Sequence, residues 1–523
     1  MNHIRLLDCT LRDGGHIVDG RFGEIVIKQT IKRLIEAKIN IIEFGFLWGR
    51  STDKDTARFH TIEEAKRFLP KNCGNSRFSL MADDVDLSHL EPCDGTIEYI
   101  RLSCKPSKLE SWAIPTARML IRKAYLIYIN PVCSSVYTDE EYINIIKKVN
   151  ELHPYGFSIV DTWGTMRIHD LSHKYYLVES HLDKDIILGL HLHENLGLAY
   201  SLAQHFTKIA SPTRQITVDA SLFGMGRVPG NLCTEHIIDY MNSFYGASYD
   251  VEPVFDAIDD YIAPIKAKKP WGYSLAYALS AKYNIHRTYA EYLLDKKRLK
   301  TKDIQRILSL VDKSRQEKFD EEYIEKLYKS YLDVSMDSTP AIRILQEKLG
   351  QSERPVIVVA PGRSVNHKKK EILETVKNQN AIVISVNFVP DFIAPNYVFC
   401  ANLKRKDSIM GNGGKYEIII TSNLINGSER YDYAIGYSDL VYFDGVYCED
   451  STLMLLSLLK KIGITELSVA GFDGIKQNGE LYFYTSSGIS TQKGNSLEIV
   501  RSILQKSLAD VKLTFLTESN YER

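Results

Sequence analysis

Short apolar runs rich in β-branched and aromatic residues recur through the first 225 residues, separated by stretches whose apolar residues fall at helical spacing. Eight such runs stand at RLLDCT (5–10), IIEFGF (41–46), RFSLMA (77–82), IEYIRLS (97–103), AYLIYIN (124–130), FSIVDT (157–162), IILGLHLH (186–193) and QITVDAS (215–221). Eight strands alternating with helices over 1–245 predict a closed (β/α)8 TIM barrel rather than an open sheet. Over 246–350 the strand signal gives way to charged helical text such as KKRLKTKDIQRILSL, which reads as a helical extension with solvated faces. A second α/β pattern fills 351–523, with strands expected in RPVIVVAPGRSV, AIVISVNF, APNYVFCA, YEIIITS, DLVYFDG and ELSVAGFDG. It predicts a Rossmann-like domain with a mainly parallel sheet.

At 523 residues the chain is too long for one core, which agrees with this division. Lys+Arg at 65 nearly cancel Asp+Glu at 66, which argues against a general nucleic-acid binder. No apolar run approaches a membrane span and the first residues lack a signal peptide's hydrophobic stretch, so a cytoplasmic location is expected. The 8 cysteines form no CxxC pair and read as reduced thiols.

HLHEN at 191–195 ends an apolar strand. Residues two apart on a strand project to the same side, so His191 and His193 can reach one point and share a divalent metal; two hydrogen-bonded core histidines would look the same. LLDCTLRDGGH places Arg12, Asp13 and His16 just past the end of the first strand, on the face where barrels of this type carry their active sites. A carboxylate from that strand and two imidazoles from the seventh would make three ligands, with positions left for substrate and water. Asp161 and Asn195 are expected to steady these ligands by hydrogen bonds. Asp219 and the glycines of FGMGRVPGN read as barrel-rim turns. Arg227 reads either as a carboxylate or phosphate contact or as a solvated arginine.

DCTLRDGGH, IIEFGF, VDTWGT, HLHENLG and GMGRVPGNLCTE, in this order, resemble the DRE-TIM metallolyase superfamily, which includes 4-hydroxy-2-oxovalerate aldolases, HMG-CoA lyases and the isopropylmalate and homocitrate synthases. The resemblance covers roughly 4–240. It implies a metal, Mn2+ or Mg2+, on Asp13, His191 and His193, with Asn231 as a further ligand and Glu43 as the glutamate of strand two. His16 stands where the pyruvate aldolases carry histidine and the Claisen synthases glutamine. The resemblance therefore implies an aldolase joining or parting a pyruvate enolate and an aldehyde, with Arg12 steadying the enolate, His16 as base and Tyr273 as the tyrosine that assists in some relatives. A Claisen-type acyl transferase is the alternative.

In the C-terminal part, APGRSV, ISVNF and LSVAGFDG faintly resemble DUF115-like and bacterial sialyltransferase-like domains. That resemblance implies a nucleotide sugar held by Gly362, Ser364 and Asn387, although Arg363 departs from the usual proline. It leaves a third reading, a glycosyltransferase with the barrel as an accessory module. The expected partners are a 2-oxo acid, an aldehyde and a nucleotide sugar, with a homo-oligomer open.

Overall fold

All eight apolar runs of the first half form strands within two residues of their expected bounds. A computed structural model of the protein describes residues 3–410, 414–425, 427, 430–474 and 497–522. The barrel strands are β1 (Ile4–Asp8), β2 (Ile41–Leu47), β3 (Arg77–Asp83), β4 (Tyr99–Cys104), β5 (Leu126–Pro131), β6 (Gly156–Asp161), β7 (Ile187–Leu192) and β8 (Ile216–Ala220). Each pairs in parallel with its sequence neighbour, and β1 pairs with both β2 and β8, which closes the barrel.

Period-two alternation sorts the side chains into two shells. Outward residues such as Leu6, Ile42, Phe44, Ile100 and Leu102 pack against the surrounding helices in one large apolar core. Inward residues form layers. Leu7, Ile41, Tyr99, Tyr128 and Ile187 make an apolar floor, backed by Tyr155, whose ring centroid lies 5.4 Å from that of Tyr99. One step towards the C-terminal ends of the strands, Glu43, Arg101, Asn130, His191 and Asp219 are all buried. The interior is thus oily at one end and charged at the other.

The helices follow from their caps and stripes. After β1 come two short turns, α1 (Thr10–Asp13) and α2 (Gly15–Val18). In the outer ring α3 (Asp139–Leu152) opens on a capping box in which Glu141 N donates to Thr138 Oγ1 (3.3 Å) and Thr138 N donates to Glu141 Oε2 (2.8 Å). It buries Tyr142, Ile145, Ile146, Val149 and Leu152, the stripe its sequence spells. Among the described residues no helix is long and apolar enough to cross a membrane.

The chain separates into two units, Met1–Arg287 and Thr288–Arg523. The expected helical extension at 246–350 is therefore not one piece. Val254, Ala257, Ile258, Ile262 and Trp271 join the barrel's core, whereas Tyr328 bonds to Glu449 within the second unit. The second unit holds a seven-stranded sheet of β9 (Val356–Val359), β10 (Ile382–Val386), β11 (Tyr397–Cys400), β12 (Glu417–Thr421), β13 (Tyr433–Ile435), β14 (Glu466–Ala470) and β15 (Lys512–Phe515). All its pairings are parallel, in the order β13-β12-β11-β10-β9-β14-β15, so the winding reverses between β9 and β14. The expected strand DLVYFDG is absent from this sheet. Leu440 and Val441 are buried in a helical turn, and Tyr442–Phe443 pairs only with Val446–Tyr447. The short edge strands β13 and β15 had no sequence signal of their own.

Gly156 opens β6 against the buried ring of Tyr128, and a Cβ there would lie 2.2 Å from a ring carbon. Gly156→Ala is expected to cost about 1–3 kcal/mol through overpacking, read as a fall of several degrees in the barrel's thermal midpoint. An unchanged midpoint would show that the floor has slack.

Candidate metal centre

Asp13 comes from α1, His191 from the end of β7 and His193 from the loop beyond it, and all three are buried. Their ligand atoms lie within 4.8 Å of one another, close enough to share one ion. Asn231 arrives from the glycine-rich loop after β8, which folds back on the HLHEN segment: Glu194 N donates to Gly230 O (2.9 Å), and His193 and Asn231 form an isolated bridge. Asn231 Nδ2 donates to Asp13 Oδ2 (2.5 Å), while its buried Oδ1 has no hydrogen-bond partner.

Two glycines make this approach possible. A Cβ on Gly226 would fall 2.6 Å from Asp13 Oδ2 and 2.4 Å from Asn231 Nδ2, and one on Gly14 would fall 2.3 Å from Thr10 O.

A continuous chain of buried ion pairs supports the ligands. Arg12 Nη1 donates to Asp13 Oδ1 (2.7 Å) and its Nε to Glu43 Oε2 (2.7 Å). The same Glu43 oxygen accepts from Arg101 Nη1 (3.2 Å), and Arg101 Nη2 donates to Asp219 Oδ2 (2.5 Å). Asp219 Oδ2 also meets His191 Nδ1 at 3.0 Å. A carboxylate acceptor there keeps the proton on Nδ1 and leaves the Nε2 lone pair for a metal. The Asn130 amide, with its oxygen turned inward, accepts from Arg101 Nη2 (2.7 Å).

Three carboxylates stand against two guanidiniums in this chain, so it carries one surplus negative charge. Burial would raise the Asp13 pKa, but Arg12, His193, His191 and His16 outweigh it and hold the carboxyl well below its usual range. Burial takes His193 down to about 3, which keeps the imidazole neutral. A deprotonated carboxylate, the His193 imidazole, the free Nε2 of His191 and the orphaned amide oxygen of Asn231 together fit a divalent cation.

The remaining site residues divide by position. His16, on α2, stands at the barrel mouth with Nε2 3.8 Å from Asp13 Oδ1 and its ring edge-on to Phe46. Packing, with Arg12, Arg227 and Arg287 nearby, lowers its pKa; 44% of the side chain remains accessible to water, which softens that effect. Tyr273 is 60% exposed, with its ring beside Gly197. Asp161 accepts from Thr165 N and Met166 N, both at 3.0 Å, and caps its own loop. That loop presses on the ligand segment at Gly164, where a Cβ would lie 2.6 Å from Asn195 Oδ1. Asp219 is no rim turn but the partner of His191. Arg101 was missed altogether; the one signal for it is a charge inside an otherwise apolar strand, two positions from Tyr99.

In the second unit Gly362 and Ser364 meet a carboxylate. Ser364 N donates to Asp473 Oδ2 (2.9 Å) and Ser364 Oγ to Asp473 Oδ1 (2.5 Å), and a Cβ on Gly362 would strike Gly471 O at 2.3 Å. The amide at the start of helix α4 (Ser364–Gln379), which a phosphate would use, is already bonded to Asp473. Asn387 N donates to Phe399 O and its side chain accepts from Ala401 N (2.9 Å), a role within the sheet. Elsewhere Glu449 accepts from the hydroxyls of Tyr328, Tyr437 and Tyr447 beside a cavity of about 390 Å3 lined by Lys329, Tyr437, Tyr442 and Tyr447.

Residues 107–252 match the HMGL-like family. The chain is 25% identical over 279 residues to a 4-hydroxy-2-oxovalerate aldolase of Geobacillus genomosp. 3, covering 49% of this chain and 78% of that protein. It is 22% identical over 281 residues to methylthioalkylmalate synthase 1, chloroplastic, of Arabidopsis thaliana, covering 49% and 54%. Among solved structures, the N-terminal domain of a putative aldolase from Bacteroides vulgatus is similar at 22% identity and a TM-score of 0.48, covering 55% of this chain and 96% of that one. These matches lend no support to a nucleotide-sugar module in the second unit.

Removing Arg101 leaves Glu43 and Asp219 buried without their shared cation. Arg101→Met is expected to lose about 3–5 kcal/mol of stability in urea unfolding and to weaken Mn2+ binding roughly 10- to 100-fold by freeing His191. Unaltered metal affinity in a folded variant would detach this arginine from the site.

Proposed function

Since the first unit carries an HMGL-like domain of the DRE-TIM kind, we propose that it is a divalent-metal-dependent carbon–carbon lyase. It cleaves or forms a 4-hydroxy-2-oxo acid from pyruvate and an aldehyde. The observation that carries the choice of chemistry is the position of His16, an imidazole at the barrel mouth with Nε2 3.8 Å from Asp13 Oδ1. Asp13, His191, His193 and the Asn231 oxygen hold the cation, Mn2+ or Mg2+, which when bound acts as a Lewis acid on the substrate's keto group.

The residues divide the remaining work. Nε2 of His16 takes the proton of the C4 hydroxyl as the C3–C4 bond breaks, and the electron pair passes to the pyruvate half as its enolate. The resulting imidazolium lies beside Asp13, whose charge steadies it. Arg12, fixed through Nε and Nη1 by Glu43 and Asp13, opposes the negative charge that develops on the enolate oxygen. Because both carboxylates are buried with it, the guanidinium is positioned before substrate arrives. In the condensation direction His16 returns the proton to the new alkoxide.

Two measurements test this reading. Pyruvate methyl protons are expected to exchange with deuterium in the presence of Mn2+ or Mg2+, to stop exchanging on chelation and to resume when metal is restored. A folded, metal-loaded protein without exchange does not perform enolate chemistry, and release of free thiol from acetyl-CoA would point to the acyl transferase instead. His16→Ala is expected to slow aldehyde release about 10²- to 10⁴-fold while metal content, measured by elemental analysis, stays at the wild-type level. Loss of the metal in that variant would make His16 a ligand rather than the base.

A further inference from the structure

Strict alternation along β2 would turn Phe46 outwards with Ile42 and Phe44, yet its ring stands at the barrel mouth. The reason is one extra residue in the strand. Glu43 pairs with Ser79 and Phe46 with Met81, so three steps along β2 answer two along β3, a β-bulge that re-aims the side chains beyond it. A Cβ on Gly45 would lie 2.4 Å from Ala57 O, and Phe46 N donates to that same oxygen (3.0 Å). Phe46 thereby falls on the side of Glu43, while Leu47 returns to the outer core. The ring centre of Phe46 lies 5.7 Å from that of the His16 imidazole, the planes at 72°, and 5.9 Å from Arg12 Cζ.

These two neighbours are held very differently. Arg12 is locked by buried ion pairs to Asp13 and Glu43, whereas His16 sits on the four-residue turn α2 with 44% of its side chain accessible to water. A guanidinium within about 6 Å of a ring centre is attracted to the ring's electron-rich face, and edge-to-face packing fixes the tilt of a second ring against the first. Resting on the aldolase reading above, in which His16 is the base, we propose that Phe46 is its positioning residue. Phe46 leans on the fixed Arg12 and holds the imidazole beside Asp13, at the 3.8 Å spacing from which Nε2 meets the substrate hydroxyl. It takes no part in the proton transfer itself. The bulge thus passes the rigidity of the buried ion pairs to a group near solvent.

The test is aldehyde release by the full chain loaded with Mn2+, using the fastest member of the series from 4-hydroxy-2-oxopentanoate to 4-hydroxy-2-oxooctanoate. Phe46→Leu is expected to lower kcat roughly 10- to 100-fold, the scale of a misplaced catalytic group, with KM and metal content little changed. Phe46→Tyr, which keeps the ring, is expected to recover most of kcat. In the His16→Ala background, Phe46→Leu is expected to change nothing further, because a residue that acts only through His16 has nothing left to position. An unaltered kcat in folded Phe46→Leu, a loss confined to KM, loss of the metal, or a full additional loss on top of His16→Ala would each overturn the proposal. Whether or not Phe46→Leu folds, the wild type is expected to show ring-proton NOEs between labelled histidine and phenylalanine that disappear in His16→Ala; their absence would overturn it as well. A wild type that cleaves none of the series and exchanges no pyruvate methyl protons would instead remove the aldolase reading beneath it.

Discussion

Charges buried in the middle of a barrel can be satisfied only by one another, and here five of them are joined end to end. Asp13, Arg12, Glu43, Arg101 and Asp219 run from the turn after β1 across β2 and β4 to β8, and finish on the ring nitrogen of His191. Removing a partner from such a chain leaves an uncompensated charge in a medium that cannot solvate it, a penalty of several kcal/mol. The chain therefore ties four separate strand ends to one arrangement. Its surplus of one negative charge matches the proposed cation, which would complete the balance between Asp13 and the two histidines.

The loops are built to reach this interior. Those after β1, β6, β7 and β8 close on one another at points where a side chain would intrude: Gly14 against Met225, Gly164 against Asn195, and Gly226 against Asp13 and Asn231. Gly164 also has a φ of +56°, which strains any other residue. Groups at the centre are held on both sides, whereas His16 and Tyr273 stand on short or exposed segments nearer solvent. Such a division suits the proposed site, whose ligands would stay fixed while His16 remains accessible to substrate.

The second unit places its charges differently. Its winding reverses between β9 and β14, the place where ligands of open parallel sheets usually bind. There the Asp473 carboxylate lies on the Ser364 amide and hydroxyl, supplying internally the negative charge that a phosphate would bring. The Glu449 carboxylate with its three tyrosine hydroxyls is a separate polar centre of the same unit, and neither its glutamate nor its tyrosines form a recognisable motif in the sequence.

What the sequence determined by itself is whatever rests on local periodicity. Apolar runs at strand length specified all eight barrel strands, and two-residue spacing across the end of β7 brought His191 and His193 near one point, because side-chain direction in extended backbone is a property of the backbone. Asp13 and Arg12 were legible for a related reason, because they lie in the turn that follows the C-terminal end of β1. Tertiary structure alone decided which distant residues share the interior. Arg101 and Asp219 look like ordinary members of apolar strands, and only closure of the barrel brings them within hydrogen-bond distance across 118 positions. It also decided that Arg227 turns towards His286, a residue from the helical segment, and that the helices of 246–350 divide at 287. Pairing between buried charges depends on where strands meet in space, and no local pattern records that.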